Sequence, residues 1–269
     1  MRPVWRGGRL EPMKSPAVVA DPSWESMTQS ELRWERGEAA LAGAVGRVAA
    51  LTELLASRER QYFTGEALDV YDDNLRPIGT KDRGSVHLDG DWHRSFHCWL
   101  VSPRRGTLLV QRRAVSKATY PGALDTSVAG HYRAGEGVRE GCRESEEELG
   151  LRLDPDRLLP LGRAIDPSRH GILIDREVAD VFLYATDVAL CDLRPDPAEV
   201  AEVLESPVEQ VWAMFCAGRP EAEARAWDGR RAYGSCLRPE AFTVHLDRYY
   251  ARLAVQARRV AEGLDPLPV

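Results

Sequence analysis

Three glutamates, Glu144, Glu147 and Glu148, carry the most evident chemistry. They lie in the run Arg143-Glu144-Ser145-Glu146-Glu147-Glu148-Leu149-Gly150-Leu151. On a helix turning about 100° per residue, their spacing of three and four places all three on one face. Val138, Cys142, Ser145 and Leu149 form a separate stripe fit to pack on a sheet, and Glu146 points away from the trio. Like charges on one helical face repel, and a bound cation relieves that repulsion. Carboxylate oxygens suit a hard ion such as Mg²⁺, which keeps several waters and bridges to substrate phosphates. A Glu-rich helix that is merely solvated has the same composition, but it needs no brackets. Here Gly130, Gly135 and Gly150 bracket the segment and imply a tight loop–helix–loop.

This stretch resembles the Nudix box. Gly130 and Glu136 match its opening, and Arg143, Glu144, Glu147, Glu148, Gly150 and Leu151 match its close. Two departures stand out. Six residues, 137–142, separate Glu136 from Arg143 where the box has seven, and Ser145 replaces an aliphatic residue. Neither departure touches the glutamates. The resemblance implies an α/β/α sandwich with a mixed sheet, an α/β (α+β) fold. It also implies a hydrolase that cleaves a diphosphate linkage in a nucleoside diphosphate derivative or related organic diphosphate. Glu144, Glu147 and Glu148 would hold Mg²⁺ (or Mn²⁺), Arg143 would orient a helix carboxylate, and Glu136 would brace the loop.

A narrower resemblance, over roughly residues 65–215, is to the Nudix branch that includes type 1 isopentenyl-diphosphate isomerase. It rests on Trp92-His93-Arg94-Ser95-Phe96, on Gln111-Arg112-Arg113-Ala114-Val115-Ser116-Lys117 and on Tyr120-Pro121-Gly122. It implies metal ligation by His93 and His131, with His87, Asp175 and Glu177 as the nearest matches to the rest of that set. It also implies diphosphate contacts from Lys81, Arg113 and Lys117. The chain has only three lysines, Lys14, Lys81 and Lys117, so two of them fall at these positions. The segment Ser127-Val128-Ala129-Gly130-His131 carries alanine where the isomerases have a proton-exchanging cysteine. A methyl group cannot exchange a proton, which counts against an isomerase, and the intact Glu144, Glu147 and Glu148 count against a non-catalytic nucleotide sensor, so the pattern favours a hydrolase. For a water-activating base, Glu177 is the first candidate, with Glu199 and Glu202 as rivals. His170 has no assigned role, and Trp212 and Trp227 read as core or lid.

The elements that must position these residues follow from periodicity. Residues 1–27, rich in Pro, Gly and Ser, read as a disordered tail. Residues 28–62 read as a helical extension, with Leu41, Val45, Val48, Leu51 and Leu55 as one stripe packing on the main domain or on a second subunit. The catalytic domain spans about 63–218. Its strands are read over 67–71, 93–101, 107–111, 125–132, 159–165 and 178–184, and its helices up to Gly150 and over 207–216. Residues 219–269 read as a second helical extension, with a helix over 239–263. From His93 to Val101, Phe96, Cys98 and Leu100 alternate with His93, Ser95, His97 and Trp99.

Composition sets the outer limits. The 269 residues are 43% hydrophobic and 29% charged, enough for a sizeable core. A net charge of −6 with no long basic run excludes a nucleic-acid-binding footprint. Five cysteines without metal-ligand spacing read as free thiols of a reducing compartment. No apolar run approaches the ~20 residues of a membrane helix. The expectation is a cytoplasmic enzyme for a small diphosphate substrate, with a homodimer open.

Overall fold

The computed structural model describes residues 5–6, 9–10 and 21–267. Two short strands, β1 (Trp5–Arg6) and β2 (Arg9–Leu10), pair near the start, and most of the expected tail lies outside the described residues. Residues 21–27 do not behave as tail. They form a helical turn at Pro22–Ser26 whose Trp24 is buried with Leu32, Ala39, Leu51 and Leu55. The Arg58 guanidinium fastens that turn by donating to the carbonyls of Trp24 and Met27 at 2.8 and 2.6 Å.

The N-terminal stripe forms a helical hairpin rather than one helix. Helix α1 (Gln29–Leu41) starts at a Thr28–Glu31 capping box, and α2 (Val45–Tyr62) follows a break at Gly43, which has φ of 67°. Leu41 and Val45 flank the break and stay exposed, while Leu51 and Leu55 are buried. The hairpin packs on its own chain: Arg33 pairs with Asp89 at 2.7 Å, and Arg169 reaches Glu31 at 3.7 Å.

The core is a mixed sheet. In chain order the remaining strands are β3 (Ala67–Tyr71), β4 (Pro77–Asp82), β5 (Trp92–Ser102), β6 (Thr107–Arg113), β7 (Leu124–Asp125), β8 (Val128–His131), β9 (Leu159–His170), β10 (Leu173–Ala185), β11 (Val200–Pro207), β12 (Ala222–Trp227) and β13 (Ala232–Leu237). Its main path runs β13-β12-β11-β6-β5-β10-β9, and β10 pairs parallel to β5. The alternation read in β5 splits two apolar layers. Phe96, Cys98 and Leu100 pack with Leu149 of the carboxylate helix on one face. Trp99 and Val101 pack on the other with α6 (Val208–Ala217) and α7 (Tyr249–Ala261). The sheet therefore lies between helical layers.

Two features position the site. Strands β5 and β6 pair directly only at Val101↔Leu108 and Ser102↔Thr107. Beyond that point β5 takes β8 as its neighbour and β6 takes β7, and the cavity described below draws side chains from both sides of this split. The second feature is α3 (Arg83–Asp89), unforeseen in the sequence. Asp82 caps it by accepting from the Gly84 amide, and left-handed Gly90 ends it.

The C-terminal region departs from expectation. Residues 219–269 are not simply helical: β12 and β13 extend the sheet beside β11. The last helix begins at Tyr249, ten residues later than read, and the preceding segment runs along β7 through Leu124↔Phe242.

Candidate active site

A cavity of about 1110 Å³ collects side chains from α3, β5, β8, β10, the carboxylate helix and the C-terminal segment. At its floor is a group of imidazoles. Strand β5 supplies His93, α3 supplies His87, and β8 supplies His131 opposite Ser95. The ring centroids lie 4.9–5.3 Å apart. One donor atom from each, with one from Asp175, falls within 4.8 Å of the others. The His87 and His93 Nδ1 atoms face the carbonyls of Arg83 and Asp91 at 2.7 and 3.0 Å. A carbonyl only accepts, so Nδ1 carries the proton and Nε2 is left to face the group.

Strand β10 adds carboxylates in register, Glu177 standing beside His93. Glu177 lies 3.0 Å from His131 and 3.9 Å from His93 and His97, and it accepts from the Ser95 hydroxyl at 3.0 Å. Burial opposes its charge, yet the imidazoles of His131, His93 and His97 outweigh this and hold its pKa well below the usual range. Burial, with Arg83 nearby, pushes His131 well below its ordinary value. His93 Nε2, His131 Nε2 and Asp175 Oδ1 are buried without a hydrogen-bond partner. Orphaned polar atoms of this kind are costly, about 1–3 kcal/mol each. A divalent ion would satisfy all three together, so the residues fit a metal. Three nitrogens with carboxylate oxygens suit a borderline ion such as Zn²⁺ or Mn²⁺.

The carboxylate helix enters from another side. It is built from α4 (Val138–Gly141) and α5 (Arg143–Leu149), closed by left-handed Gly150. Arg143 organises it. Its guanidinium donates to both Glu136 oxygens at 2.9 and 3.0 Å, to the His131 carbonyl at 3.0 Å, and to Glu144 and Glu147 at 2.6 and 2.9 Å. Glu148 accepts from the Ala129 amide at 3.1 Å and faces Gln111 at 3.5 Å. Burial raises the Glu144 pKa to about 7, with Glu147 adding repulsion, and burial beside Glu144 raises Glu148 well above its ordinary value. Gly130 makes room for this arrangement, since a Cβ there would lie 2.1 Å from the Glu144 carboxyl carbon. The departure at Ser145 leaves a mark: its buried hydroxyl has no partner.

Cationic groups ring the opening. Arg113 lines the cavity and donates to Asp125 at 2.9 Å, and Lys117 lines it in an ion pair with Glu199. Lys81 does not line it. Its ammonium is tied to Asp89 and Asp91 at 3.0 and 2.5 Å, away from the cavity it was expected to serve. Arg83 lines the cavity instead. It lies four residues before His87 on the same helix, so i,i+4 spacing from His87 would have found it had α3 been read.

A family model described as the NUDIX domain matches residues 91–228, half of the chain. An uncharacterised Nudix hydrolase of Clostridium acetobutylicum is 34% identical over 148 residues, 54% of this chain and 72% of that protein. This chain belongs to the Nudix family. An isopentenyl-diphosphate delta-isomerase of Frankia alni is 33% identical over 190 residues, 65% of this chain and 92% of that protein. A crystal structure from Deinococcus radiodurans aligns with 24% identity and a TM-score of 0.42, over 57% of this chain and 91% of that one.

With the chain placed among Nudix proteins, the expected site residues can be sorted. Glu144, Glu147, Glu148, Arg143, Glu177, His131, Arg113 and Lys117 all line one cavity, and His93 lies fully buried behind it. The expected metal ligands Glu144, Glu147, Glu148, His93 and His131 fall into two groups, matching the two resemblances that named them. The histidines join His87 and Asp175, and the glutamates are held by Arg143 and the Ala129 amide. Among the rival bases, Glu199 lines the cavity, whereas Glu202 is engaged by Arg112 and Tyr233 outside it. Trp212 stacks under Arg258 and Trp227 donates to the Leu193 carbonyl, both away from the cavity. Two lining residues, Thr243 and His245, come from the C-terminal segment read as helix. Among the described residues, no helix is long and apolar enough to cross a membrane.

Proposed function

We propose that this chain is a divalent-metal-dependent hydrolase that cleaves the diphosphate linkage of a small organic diphosphate. The observation that carries this reading is Ala129. The Nudix-box glutamates and the imidazole group face one cavity, but the residue between them has only a methyl group. Hydrolysis asks for bound metal, a placed water and fixed phosphates, and a methyl group does not interfere with any of these. Moving a double bond requires proton-exchanging groups flanking the substrate. The neighbouring hydroxyl of Ser127 does not substitute, because it donates to the Leu109 carbonyl and accepts from the Leu100 amide.

Glu144, Glu147 and Glu148 are the oxygen donors suited to Mg²⁺, with Mn²⁺ as an alternative. His87, His93, His131, Asp175 and Glu177 are suited to a second, more nitrogen-preferring ion. When bound, such ions neutralise phosphate charge and acidify water. The protein's own part is positional. Arg83, Arg113 and Lys117 fix phosphate oxygens, and Arg143 holds Glu144 and Glu147 in place. Glu177, 3.0 Å from His131 and lining the cavity, remains the first candidate to orient or deprotonate water.

The imidazole group and the isomerase names among the relatives favour a second reading, isomerisation of an isoprenoid diphosphate. One experiment separates the two. Full-length protein is assayed with Mg²⁺ and Mn²⁺ for phosphate-containing products from a panel of diphosphates, and for solvent deuterium entering isopentenyl diphosphate. We expect metal-dependent cleavage and no deuterium uptake. Glu147→Gln and Glu148→Gln should each lower turnover by about a hundredfold or more with the fold intact. Deuterium uptake at an enzymatic rate, or near-normal cleavage in both variants, would refute the hydrolase reading.

A further inference from the structure

His97 lines the cavity from β5, on the same side of the strand as His93 and Ser95. It is buried, and it is not part of the group formed by His87, His93, His131 and Asp175. Its hydrogen bonding differs from theirs. The Nδ1 atoms of His87 and His93 face carbonyls, which only accept, so those rings turn a bare Nε2 to the group. The His97 Nδ1 instead lies 2.9 Å from the Tyr249 hydroxyl, at the start of α7. That hydroxyl already accepts from the Trp99 indole N–H at 3.0 Å. An indole nitrogen only donates, so the phenol keeps its own proton to give, and Nδ1 is the acceptor beside it.

The other ring nitrogen, Nε2, lies 3.9 Å from Glu177 Oε2. The two oxygens of Glu177 have separate neighbours. Oε1 is 3.0 Å from His131 and 3.9 Å from His93, whereas Oε2 accepts from Ser95 at 3.0 Å and faces His97. One oxygen thus turns to the imidazole group and the other to two β5 side chains outside it. Burial pushes the His97 pKa below its ordinary value, so near neutral pH the ring has one proton to place. On Nδ1 that proton would compete with the phenol's and leave the Nε2 lone pair aimed at a buried carboxylate. On Nε2 it satisfies both ends: Nδ1 accepts from Tyr249, and the N–H dipole points to Oε2. At 3.9 Å the contact is too long for a hydrogen bond and acts as a dipole on a charge. The residue opposite His97 on β8 is Ala129, whose methyl group does not compete for that proton.

We propose that His97 is a positioning residue. Fixed by Tyr249 in the form protonated at Nε2, it steadies Glu177 Oε2 together with Ser95 and keeps Oε1 turned to the imidazole group, without itself binding metal. Tyr249 lies beyond residues 91–228 matched by the family model, so α7 sets the state of a side chain inside the shared domain. The proposal rests on the metal-binding reading of the imidazole group, but its first test needs neither metal nor turnover.

Full-length protein labelled with ¹⁵N at histidine is studied by NMR near neutral pH, where protonated and bare ring nitrogens resonate far apart. Two variants, His97→Gln and His97→Leu, each identify the His97 signals by their loss. His97 should carry its proton on Nε2 with Nδ1 bare, the reverse of His87 and His93. A proton on Nδ1, alone or with one on Nε2, overturns the proposal. On addition of Zn²⁺ the Nε2 signals of His87, His93 and His131 should shift while His97 keeps its Nε2 proton. Loss of that proton would make His97 a ligand and equally overturn the proposal. His97→Leu, which removes the donor, should weaken Zn²⁺ binding at His93 about tenfold, the usual worth of a group that orients a metal ligand. His97→Gln, whose amide N–H reaches about as far as Nε2, should stay within about threefold of wild type. Equal weakening in both variants would refute positioning and leave packing alone. A missing Zn²⁺ response at His87, His93 and His131 would count against the metal reading, and the ring's protonation would then decide the proposal. Absence of diphosphate cleavage, measured separately, would count against the hydrolase reading only.

Discussion

Replacing His245 with alanine tests the charge ladder beneath the C-terminal segment. Arg113 donates to Asp125, and His245 bridges Asp125 to Asp166, so charges alternate from β6 across to β9. Water barely reaches the bridge, with side-chain exposures of 9% for His245, 7% for Asp125 and 14% for Asp166. Burial alone would drive the proton off His245, but hydrogen bonds and charge from Asp125 and Asp166 outweigh it and raise the pKa from 6.5 to about 9. At about 1.4 kcal/mol per pH unit, that rise is worth about 3 kcal/mol. Breaking a buried ion pair by truncating one partner gives a similar figure, about 3–5 kcal/mol. Because the folded pKa lies above the unfolded one, this stabilisation is complete below about pH 6.5. It is lost as pH rises through about 9. Urea unfolding of wild type and His245→Ala at pH 6 and pH 10 is the assay. We expect a gap of about 3 kcal/mol at pH 6 that narrows markedly by pH 10. A gap that does not change with pH, or one under about 1 kcal/mol at pH 6, would show that the ladder is not what fastens this segment.

Two further outcomes follow from close approaches at the site. Gly130→Ala would bring a methyl group to 2.1 Å from the Glu144 carboxyl carbon, forcing that carboxylate to move. Metal-dependent turnover should fall by about tenfold or more with melting temperature changed by only a few degrees, and unchanged turnover would show that Glu144 need not occupy this place. Arg83→Ala should raise KM about tenfold, while Lys81→Ala should leave KM nearly unaltered, as steady-state kinetics on any cleaved diphosphate would reveal. The reverse order would reinstate Lys81 as the phosphate contact.

The parts of the site that were legible in the sequence are those where chemistry and local geometry coincide. Glu144, Glu147 and Glu148 lie within five residues of one another on one helix, so helical spacing alone brings them together. The β5 alternation likewise put His93 and His97 on one face and Phe96 and Cys98 on the other, as the two apolar layers show. Positions fixed by distant or weak local signals were not legible. Helix α3 is only seven residues long, too short for an apolar stripe to declare itself, and it opens on an aspartate cap that also reads as turn. Missing α3 left Arg83, which lines the cavity, outside the expected site. Gly43 splits the N-terminal stripe, and the i,i+3 and i,i+4 pattern continues across the break closely enough to imitate one helix. His245 reaches the cavity because its segment lies along β7, a tertiary contact with no local signature.

The division of ligands bears on how this chain relates to the two chemistries of its family. An imidazole-rich group and an acidic helix make different demands on an ion, and here neither has been given up for the other. The imidazole group keeps buried donor atoms without a hydrogen-bond partner, which a bound cation would satisfy. The acidic helix keeps Glu144 and Glu148 in surroundings that raise their pKa values, a standing cost to the fold that a bound cation removes. Between them, at residue 129, the proton-exchanging side chain is absent. His97, directly across the strand pair from Ala129, has its Nδ1 held at 2.9 Å from the Tyr249 hydroxyl of the C-terminal helix. The C-terminal region thus reaches the site twice: Thr243 and His245 line the cavity, and Tyr249, at the start of the helix that follows, fixes the orientation of His97.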